Sequence, residues 1–296
     1  MNHSVKEEAK DWIKDIVVAV VLISVVMASL YAYTGLWPPM VVIESGSMQH
    51  SDDTSYIGVI DTGDIVLSRK TSFSEITTYV EGRASGYKTY GDYGDVIIYR
   101  PLNRDVTPII HRAVLYLEWN ETTSFDAPSL KDLTYGTDYI TDSGTWHGIR
   151  REIEIRDYGY ESKDLIIRVD GLLRYHHSGY ISAGDHNVAR GYGVDQNTGI
   201  CPEPIKTSWI MAKAVGELPW FGLIKLSFSG TLSSNPAPSN SWVMLFISIA
   251  LLLIIPSIVE KIWDRIKKNY AEEEKESPNE GDRGRNERDE EDKEEQ

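Results

Sequence analysis

Two long stretches without a charged residue constrain this chain more than any other feature. The first covers 16–43, and its opening part is almost continuously apolar over the length that an α-helix needs to cross the hydrocarbon core of a bilayer. Trp37 stands where an interfacial aromatic belt would lie, and the two prolines after it end the helix. A cleavable signal peptide is the alternative, but no small-residue cleavage site follows. We therefore predict a retained transmembrane anchor over 16–37.

The second apolar stretch, 242–259, is interrupted only by Pro256 and is followed by a cluster of lysine and arginine residues. Short flanks rich in these residues remain in the cytoplasm. The opposite flanks of the two stretches, 34–43 and 226–241, contain neither lysine nor arginine. The charges therefore predict a multi-pass protein of the cell membrane with both termini in the cytoplasm. A buried core helix is the alternative for the second stretch.

These assignments divide the chain into five segments. They are a cytoplasmic N-terminus (1–15), an anchor (16–37), an extracytoplasmic domain (38–241), a second transmembrane helix (242–260) and a charged cytoplasmic tail (261–296). The extracytoplasmic segment has about 200 residues, which is enough for one domain with its own core. From residue 271 onward the tail is predicted to be too polar to fold.

Net charge and cysteine content exclude several classes of protein. The formal charge is -15 and the isoelectric point is about 4.9, whereas nucleic-acid binding requires basic patches. We therefore expect no nucleic-acid partner. Cys201 is the single cysteine, so the chain can form neither an intrachain disulfide nor a thiolate metal cluster. It precedes Pro202 in a polar loop without a base at a recognisable spacing, which disfavours a nucleophilic role.

The segment between the two apolar stretches has the pattern of a β domain. Short runs rich in β-branched residues alternate with turns such as Gly-Asp, Tyr-Gly and Asn-Thr-Gly. The predicted strands are 65–67, 96–99, 109–117, 152–155, 165–169 and 209–215. No long amphipathic helical pattern interrupts them. We therefore expect a mainly β extracytoplasmic domain, in which the tyrosine-rich segment 116–180 is an added β subdomain or a set of elaborated hairpins.

Ser47 lies in a small-residue turn soon after the first anchor. A serine beside glycine after a β-branched run is most often only a turn residue. Its hydroxyl attacks a carbonyl only when a nearby base removes the proton. Among the extracytoplasmic histidines, His50 is too close in sequence to be placed, and His111 and His186 remain as candidates. His111 stands in the apolar run PIIHRAV, which predicts a strand.

Five motifs connect these residues to one family. They are ESGSM (44–48), TGDIVL (62–67), YGDVIIYRP (93–101), PIIHRAV (108–114) and AGDHN (183–187). In their order and rough spacing they resemble the type I signal peptidases, most of all the archaeal and endoplasmic-reticulum branch, in which the base is a histidine. The resemblance covers the anchor, the residues after it and a later stretch around 181–225. It covers neither the insertion nor the acidic tail.

The resemblance implies a membrane-bound serine endopeptidase with a signal-peptidase-like β fold, which removes signal peptides without a cofactor or metal. It implies that Ser47 is the nucleophile and His111 the general base, with Arg112 in a structural role. The family's Gly-Asp-x-Asn segment and its second aspartate match Asp185 and, after a longer gap than usual, Asp195. We favour Asp195 as the carboxylate that orients the base and Asp185 as a supporting residue. Turn chemistry is the alternative for both aspartates.

The substrate of this family is an extended segment that is read by β-strand addition, with small residues near the scissile bond. The resemblance therefore implies a cleft along two strands. The residues expected to line it are Met40, Val42, Ile43, Ile109 and Ile110. The expected partners are signal peptides of secretory precursors and the lipid bilayer, and contact with the translocation machinery is left open. The apolar segment 218–221 is expected either at the membrane interface or in a core turn.

Two other functions fit parts of the sequence. A doubly anchored β domain that only binds a partner would leave Ser47 as a turn residue, and it predicts no covalent capture by acylating probes. A metal hydrolase would use His111, His186, Asp185 and Asp195 as ligands, although their spacing matches no metal motif. A chelator would have to abolish the activity of such an enzyme.

Overall fold

The computed structural model describes residues 2–101, 107–121 and 123–276. Its strands are β1 (Met40–Val42), β2 (Ile65–Arg69), β3 (Lys88–Thr89), β4 (Asp92–Tyr93), β5 (Val96–Tyr99), β6 (Ile109–Asn120), β7 (Ser124–Asp126), β8 (Tyr139–Thr141), β9 (Glu152–Tyr158), β10 (Lys163–Arg168), β11 (Gly179–Ala183) and β12 (Ile210–Leu218). Its α-helices are α1 (Asn2–Thr34), α2 (Tyr79–Ser85), α3 (Asp185–Ala189), α4 (Asp195–Thr198), α5 (Leu223–Ser229) and α6 (Ser241–Glu276). The six predicted strands fall on β2, β5, β6, β9, β10 and β12.

Two helices are long and apolar enough to cross a membrane. The candidate spans are Trp12–Thr34, with a mean hydropathy of 2.5, and Ser241–Tyr270, with a mean hydropathy of 2.7. Only 6% of the most apolar window of the second span is buried, which is unlike the core helix considered as its alternative. The described chain divides into two compact units, one ending at Trp242 and the other beginning at Val243.

Both long helices extend beyond the predicted anchors. α1 begins in the polar N-terminal segment and ends at Thr34, and Gly35 with a φ of +66° then leaves the helical conformation. α6 continues through residue 260 into the charged segment. That part of the sequence is rich in Lys and Glu and contains neither Gly nor Pro, so helix propagation is favoured. The remainder of the predicted tail, 277–296, lies outside the described residues.

The largest sheet has the strand order β1-β2-β12-β5-β6-β11, and β7 pairs with the end of β6. Every neighbouring pair in it is antiparallel. The interior strand β5 is buried along its whole length, as expected for a short run of Val, Ile and Tyr. The pairing of β5 with β6 places His111 opposite Ile97. At the other end of the order, β1 has one edge without a strand partner among the described residues.

The insertion expected at 116–180 connects two neighbouring strands of this sheet. β6 and β11 pair with Tyr116 opposite Tyr180, so the chain leaves the sheet and returns to it at the same place. Between these points β8, β9 and β10 form a separate three-stranded sheet. Phe125 of the insertion lies in the same hydrophobic cluster as Val188 of α3. The insertion therefore shares a core with the main sheet and its connections.

A smaller hydrophobic cluster supports the turn after β1. Ile43 and Met48 pack there with residues of β2, β5 and β12. The amide of Ile43 donates to the carbonyl of Asp64 at 2.9 Å, and the amide of Gly63 donates to the carbonyl of Ile43 at 3.0 Å. The TGD turn thus sets the direction in which the chain leaves β1.

Segment 218–221 begins with the last residue of β12. One part of it is buried in the core and another part is exposed. Trp220 is 5% exposed, and its indole N–H donates to the hydroxyl of Ser55 at 2.7 Å. Leu218 is 45% exposed. The core-turn alternative therefore describes Trp220, since an indole buried and hydrogen-bonded in this way is held inside the domain.

Candidate active site

Ser47 is presented by the turn that follows β1. It is half-buried, between the exposed Ser45 and the buried Met48. The turn is closed by a hydrogen bond from the amide of Gln49 to the carbonyl of Gly46 at 3.2 Å. The hydroxyl of Ser47 lies 3.3 Å from that of Ser45. Because Met48 is held in the core, the adjacent serine stays at the domain surface in a defined place.

His111 is a strand residue whose imidazole is held by a buried carboxylate. The residue is 4% exposed, and its Nδ1 lies 2.7 Å from Oδ2 and 2.8 Å from Oδ1 of Asp195. Asp195 is the first residue of α4 and is 1% exposed. A carboxylate accepts hydrogen bonds, so this contact favours the tautomer with the proton on Nδ1. Nε2 is then free to accept a further proton.

Two more hydroxyls fix the same carboxylate. Oδ2 of Asp195 accepts hydrogen bonds from Tyr99 at 2.8 Å and from Ser182. Burial, followed by the nearby charge of Asp195, raises the pKa of Tyr99 well above its ordinary value. The phenol therefore keeps its proton and remains a donor. The position of Asp195 is thus determined from β5 and β11 as well as from α4.

Gly184 brings the Ser47 turn and the imidazole together. It lies between β11 and α3, and a Cβ atom at this position would be 2.5 Å from the carbonyl oxygen of Ser47 and 2.9 Å from Nε2 of His111. Only glycine permits so close an approach. The amide of His186, two residues later, donates to the same Ser47 carbonyl at 3.0 Å. Nε2 of His111 therefore faces the Ser47 turn across Gly184.

Asp185 belongs to a second buried network beside the first. Its Oδ1 accepts from Nε of Arg112 at 2.9 Å, and its Oδ2 accepts from Nη2 at 2.6 Å. Oδ2 also lies 3.2 Å from Nε2 of His50. Arg112 is fully buried and donates to several backbone carbonyls as well. Of the two candidate aspartates, Asp195 contacts His111, and Asp185 contacts the next residue along β6.

The ionisation of Asp185 reflects these partners. Burial acts to raise its pKa, but the charge and hydrogen bonds of Arg112, together with His50, outweigh burial and leave the pKa lowered. Asp185 therefore stays an anion that neutralises a buried guanidinium. This arrangement supports the structural role that the sequence resemblance implied for Arg112.

His186 meets Ser47 through its backbone amide. Its Nδ1 lies 3.3 Å from the hydroxyl of Tyr160, and its Nε2 lies 3.4 Å from Oδ1 of Asp52. Burial, and then the charge of Arg190, lowers the pKa of this imidazole. The two histidine candidates thus differ, since His186 contacts the Ser47 carbonyl through its backbone amide, whereas His111 places its imidazole near the same turn.

A cleft of about 690 Å³ opens beside Ser47 and His111. The five residues expected to bind substrate all line it: Met40, Val42, Ile43, Ile109 and Ile110. Lys225 also reaches the cleft and forms an ion pair of 3.0 Å with Glu44. A largely apolar cleft that contains a few polar groups suits an extended apolar ligand.

The ligands required by a metal hydrolase are separated into two networks. His111 binds Asp195, whereas Asp185 binds Arg112. Within residues 2–101, 107–121 and 123–276, no group of three or more His, Cys, Asp or Glu side chains has the geometry to hold a metal ion.

Several contributors to the site were not identified from the sequence. Tyr99 and Gly184 lie inside the motifs YGDVIIYRP and AGDHN, and their positions in these motifs could have pointed to them. Ser182 and Tyr160 carry no such signal, because their contacts depend on how distant strands pair. Lys225 stands alone among apolar and uncharged polar residues, and this isolation is only a weak signal of a functional role.

A serine hydroxyl and an imidazole bound to a carboxylate therefore lie at the wall of one apolar cleft. This is the set of groups that acyl transfer to a serine requires. Comparisons of the chain with family models, with curated proteins and with solved structures found no match.

Proposed function

We propose that this protein is a membrane-bound serine endopeptidase that removes signal peptides from exported precursors, with the β fold of the archaeal and endoplasmic-reticulum type I signal peptidases. The observation that supports this proposal most strongly is the orientation of one imidazole. Nδ1 of His111 is 2.7 Å from Asp195, and Nε2 faces the Ser47 turn across Gly184. The sequence motifs contain Ser47, His111 and Gly184, and Asp195 follows the last of them.

The first half of the reaction forms an acyl-enzyme. The Ser47 oxygen bonds to the scissile carbonyl carbon as its proton moves to Nε2 of His111. Asp195 keeps the ring oriented and stabilises the imidazolium. The imidazolium then gives the proton to the leaving nitrogen, the carbon–nitrogen bond breaks, and the mature chain departs with a new amino terminus.

The second half releases the signal peptide. A water molecule gives a proton to Nε2 of His111 and bonds to the acyl carbon, and the proton passes to the Ser47 oxygen as the ester breaks. The hydroxyl of Ser47 lies 3.3 Å from that of Ser45. Nucleophile–base hydrogen bonds often tighten only in the substrate complex. The Ser47 amide and the Ser45 hydroxyl are the proposed donors to the oxyanion.

The substrate is an extended chain segment with small apolar residues before the scissile bond. β1 ends the strand order of the sheet, and its edge, which has no strand partner among the described residues, can add one more strand through backbone hydrogen bonds. The apolar side chains of Met40, Ile43 and Ile109 line the cleft beside β1. Signal peptides are apolar and extended near their cleavage site, which fits this cleft.

The proposed topology places the two long apolar helices in the cell membrane, both termini in the cytoplasm and 38–241 outside. The charge difference between their flanks supports this orientation. Protease added to sealed, right-side-out vesicles should then cut accessible loops in 38–241 and spare a C-terminal tag. Loss of the tag under these conditions would contradict the orientation.

The direct test is cleavage of a membrane-inserted precursor by the full-length protein and by Ser47→Ala. We expect the substitution to abolish processing while membrane insertion and folding are unchanged. Ser74→Ala is a matched control, because Ser74 is an exposed serine in another segment. Normal processing by Ser47→Ala would refute the serine mechanism.

Two further measurements separate the alternative functions. An acylating probe should label the wild type at Ser47 and leave Ser47→Ala unlabelled, whereas a domain that only binds a partner would not be labelled. Processing should continue in the presence of a chelator, since the proposed chemistry uses only side chains of the chain itself. Inhibition by the chelator that added metal reverses would favour the metal hydrolase.

A further inference from the structure

The hairpin formed by β9 and β10 of the insertion contacts residues that pack beside the candidate active site. Tyr160 lies in the turn between these strands, and its ring stacks on that of His50 with centroids 4.0 Å apart and an angle of 19°. Its hydroxyl is 3.3 Å from Nδ1 of His186. Lys163, at the start of β10, donates to the carbonyl of Ala189 at the end of α3. One hairpin therefore contacts both the Ser47 segment and α3.

Of the two histidines that Tyr160 contacts, His186 touches the Ser47 turn directly and His50 touches Asp185. The amide of His186 donates to the Ser47 carbonyl at 3.0 Å. Nε2 of His50 lies 3.2 Å from Asp185, which binds Arg112, the neighbour of the proposed base along β6. Movement of the hairpin tip would therefore act on the nucleophile turn and on the strand that carries the base.

The protonation states of Tyr160 and His186 are consistent with a hydrogen bond between them. Burial first, and then the charges of Glu161, Asp185 and Asp52, raise the pKa of Tyr160 to about 12. The phenol keeps its proton and donates to Nδ1 of His186, whose own pKa is lowered by burial and by Arg190. Nε2 of that ring lies 3.4 Å from Oδ1 of Asp52.

We propose that Tyr160 is a positioning residue for Ser47 and His111, and that the insertion contributes it to the catalytic machinery. The inference rests on the proposed peptidase function. Tyr160 holds His186 against the Ser47 carbonyl and holds His50 against Asp185. It is not among the residues that line the apolar cleft, so it acts on the arrangement of the reacting groups and leaves substrate binding to others.

The test compares Tyr160→Ala and Tyr160→Phe in the full-length protein with a membrane-inserted precursor. Tyr160→Ala should lower kcat by about tenfold to a hundredfold and leave KM within about twofold, because misplaced reacting groups slow the chemical step. Tyr160→Phe keeps the stack on His50 and should retain more activity than Tyr160→Ala. Tyr135→Ala is the control, since Tyr135 is an exposed aromatic residue of the same insertion and packs on Tyr139.

A double-mutant cycle identifies the route through His186. If the Tyr160 hydroxyl acts by holding this ring, Tyr160→Phe combined with His186→Ala should be no slower than His186→Ala alone. Strictly additive losses would overturn that route. A wild-type kcat in Tyr160→Ala, a loss confined to KM, or an equal loss in Tyr135→Ala would overturn the positioning role.

A readout independent of activity separates this inference from the function it rests on. In full-length protein in detergent, the amide resonance of Ser47 and the ring-nitrogen resonances of His186 should shift in Tyr160→Ala and stay in place in Tyr135→Ala. If Ser47→Ala processes precursor normally, the peptidase proposal fails, and these resonances still report whether Tyr160 holds the Ser47 turn. Unchanged resonances in Tyr160→Ala would overturn the positioning role.

Discussion

Asp195 binds Nδ1 of His111 at 2.7 Å, on the far side of the ring from the nitrogen that faces the Ser47 turn. The contact joins the strand β6 to the short helix α4, which are far apart in the sequence. Pairing of β6 with β11 makes it possible, because β11 leads through α3 directly to α4. Asp185 lies on the same connection but binds Arg112. The two aspartates therefore predict different mutant phenotypes.

Asp195→Asn should lower kcat while the protein remains folded. An amide can present its NH₂ group to Nδ1 and favour the wrong tautomer of His111, and losses of up to about 10⁴-fold are known for such changes. The loss should be smaller than that of His111→Ala, which removes the base altogether. Measurement of kcat together with the unfolding midpoint in detergent tests this expectation. A fully active Asp195→Asn would show that the carboxylate has no part in orienting the ring.

Asp185→Asn should mainly reduce stability. It leaves the fully buried guanidinium of Arg112 without its anion, and breaking a buried pair in this way costs roughly 3–5 kcal/mol. The unfolding midpoint should fall clearly, whereas kcat measured at low temperature on the folded fraction should fall less than in Asp195→Asn. Normal stability combined with a complete loss of turnover would show that the two networks do not have separate roles.

Gly184→Ala should impair catalysis although it replaces no reacting group. The added methyl would lie 2.5 Å from the Ser47 carbonyl oxygen and 2.9 Å from Nε2 of His111, so it must push the two apart. A displacement of about 1 Å can cost on the order of a hundredfold in rate. Gly171→Ala is the control, because a Cβ there meets no atom within 4 Å. Equal kcat values for the two variants would contradict the close approach.

The choice of base is tested by two histidine variants. Only a neutral imidazole can accept the proton of Ser47. His111→Ala should lose most activity, and His186→Ala should lose less because its backbone amide is retained. The two rates are measured on the same precursor. An inactive His186→Ala beside a nearly normal His111→Ala would reverse the assignment.

The buried aspartate of the TGD turn, Asp64, predicts how stability depends on pH. Burial is the main cause that raises the pKa of Asp64 from 3.8 to about 8, and the amides of Trp220 and Asp61 that donate to its carboxylate only partly offset it. Protonated Asp64 therefore stabilises the folded state fully below its unfolded pKa, and this stability is lost as pH rises through about 8. The slope is at most about 1.4 kcal/mol per pH unit for one proton.

Unfolding midpoints measured from pH 5 to pH 8 test this expectation. The midpoint should fall as pH rises in the wild type, and the fall should be smaller in Asp64→Asn, which cannot ionise at this position. Asp61 also has a pKa raised to about 6, chiefly by burial, so part of the slope should remain in the variant. An identical slope in both proteins would show that Asp64 does not titrate in this range.

Much of the fold could be predicted from local patterns. The two long helices follow from uninterrupted apolar composition, and the six predicted strands follow from β-branched runs between turns, because both signals are carried by neighbouring residues. Helix ends were less predictable. α6 continues to Glu276, since helix-forming residues extend the helix beyond its apolar part.

The candidate site, like the fold, has features that local patterns predict and features that they do not. Local motifs, whose residues are adjacent in the chain, were sufficient to select Ser47 and His111 as candidates. The contacts of Asp195 with the imidazole, of Asp185 with Arg112 and of Tyr160 with His50 follow from the folded structure. These contacts join distant segments, and they depend on the register of β6 with β11 and on a core shared by the insertion and the main sheet, which no local pattern encodes.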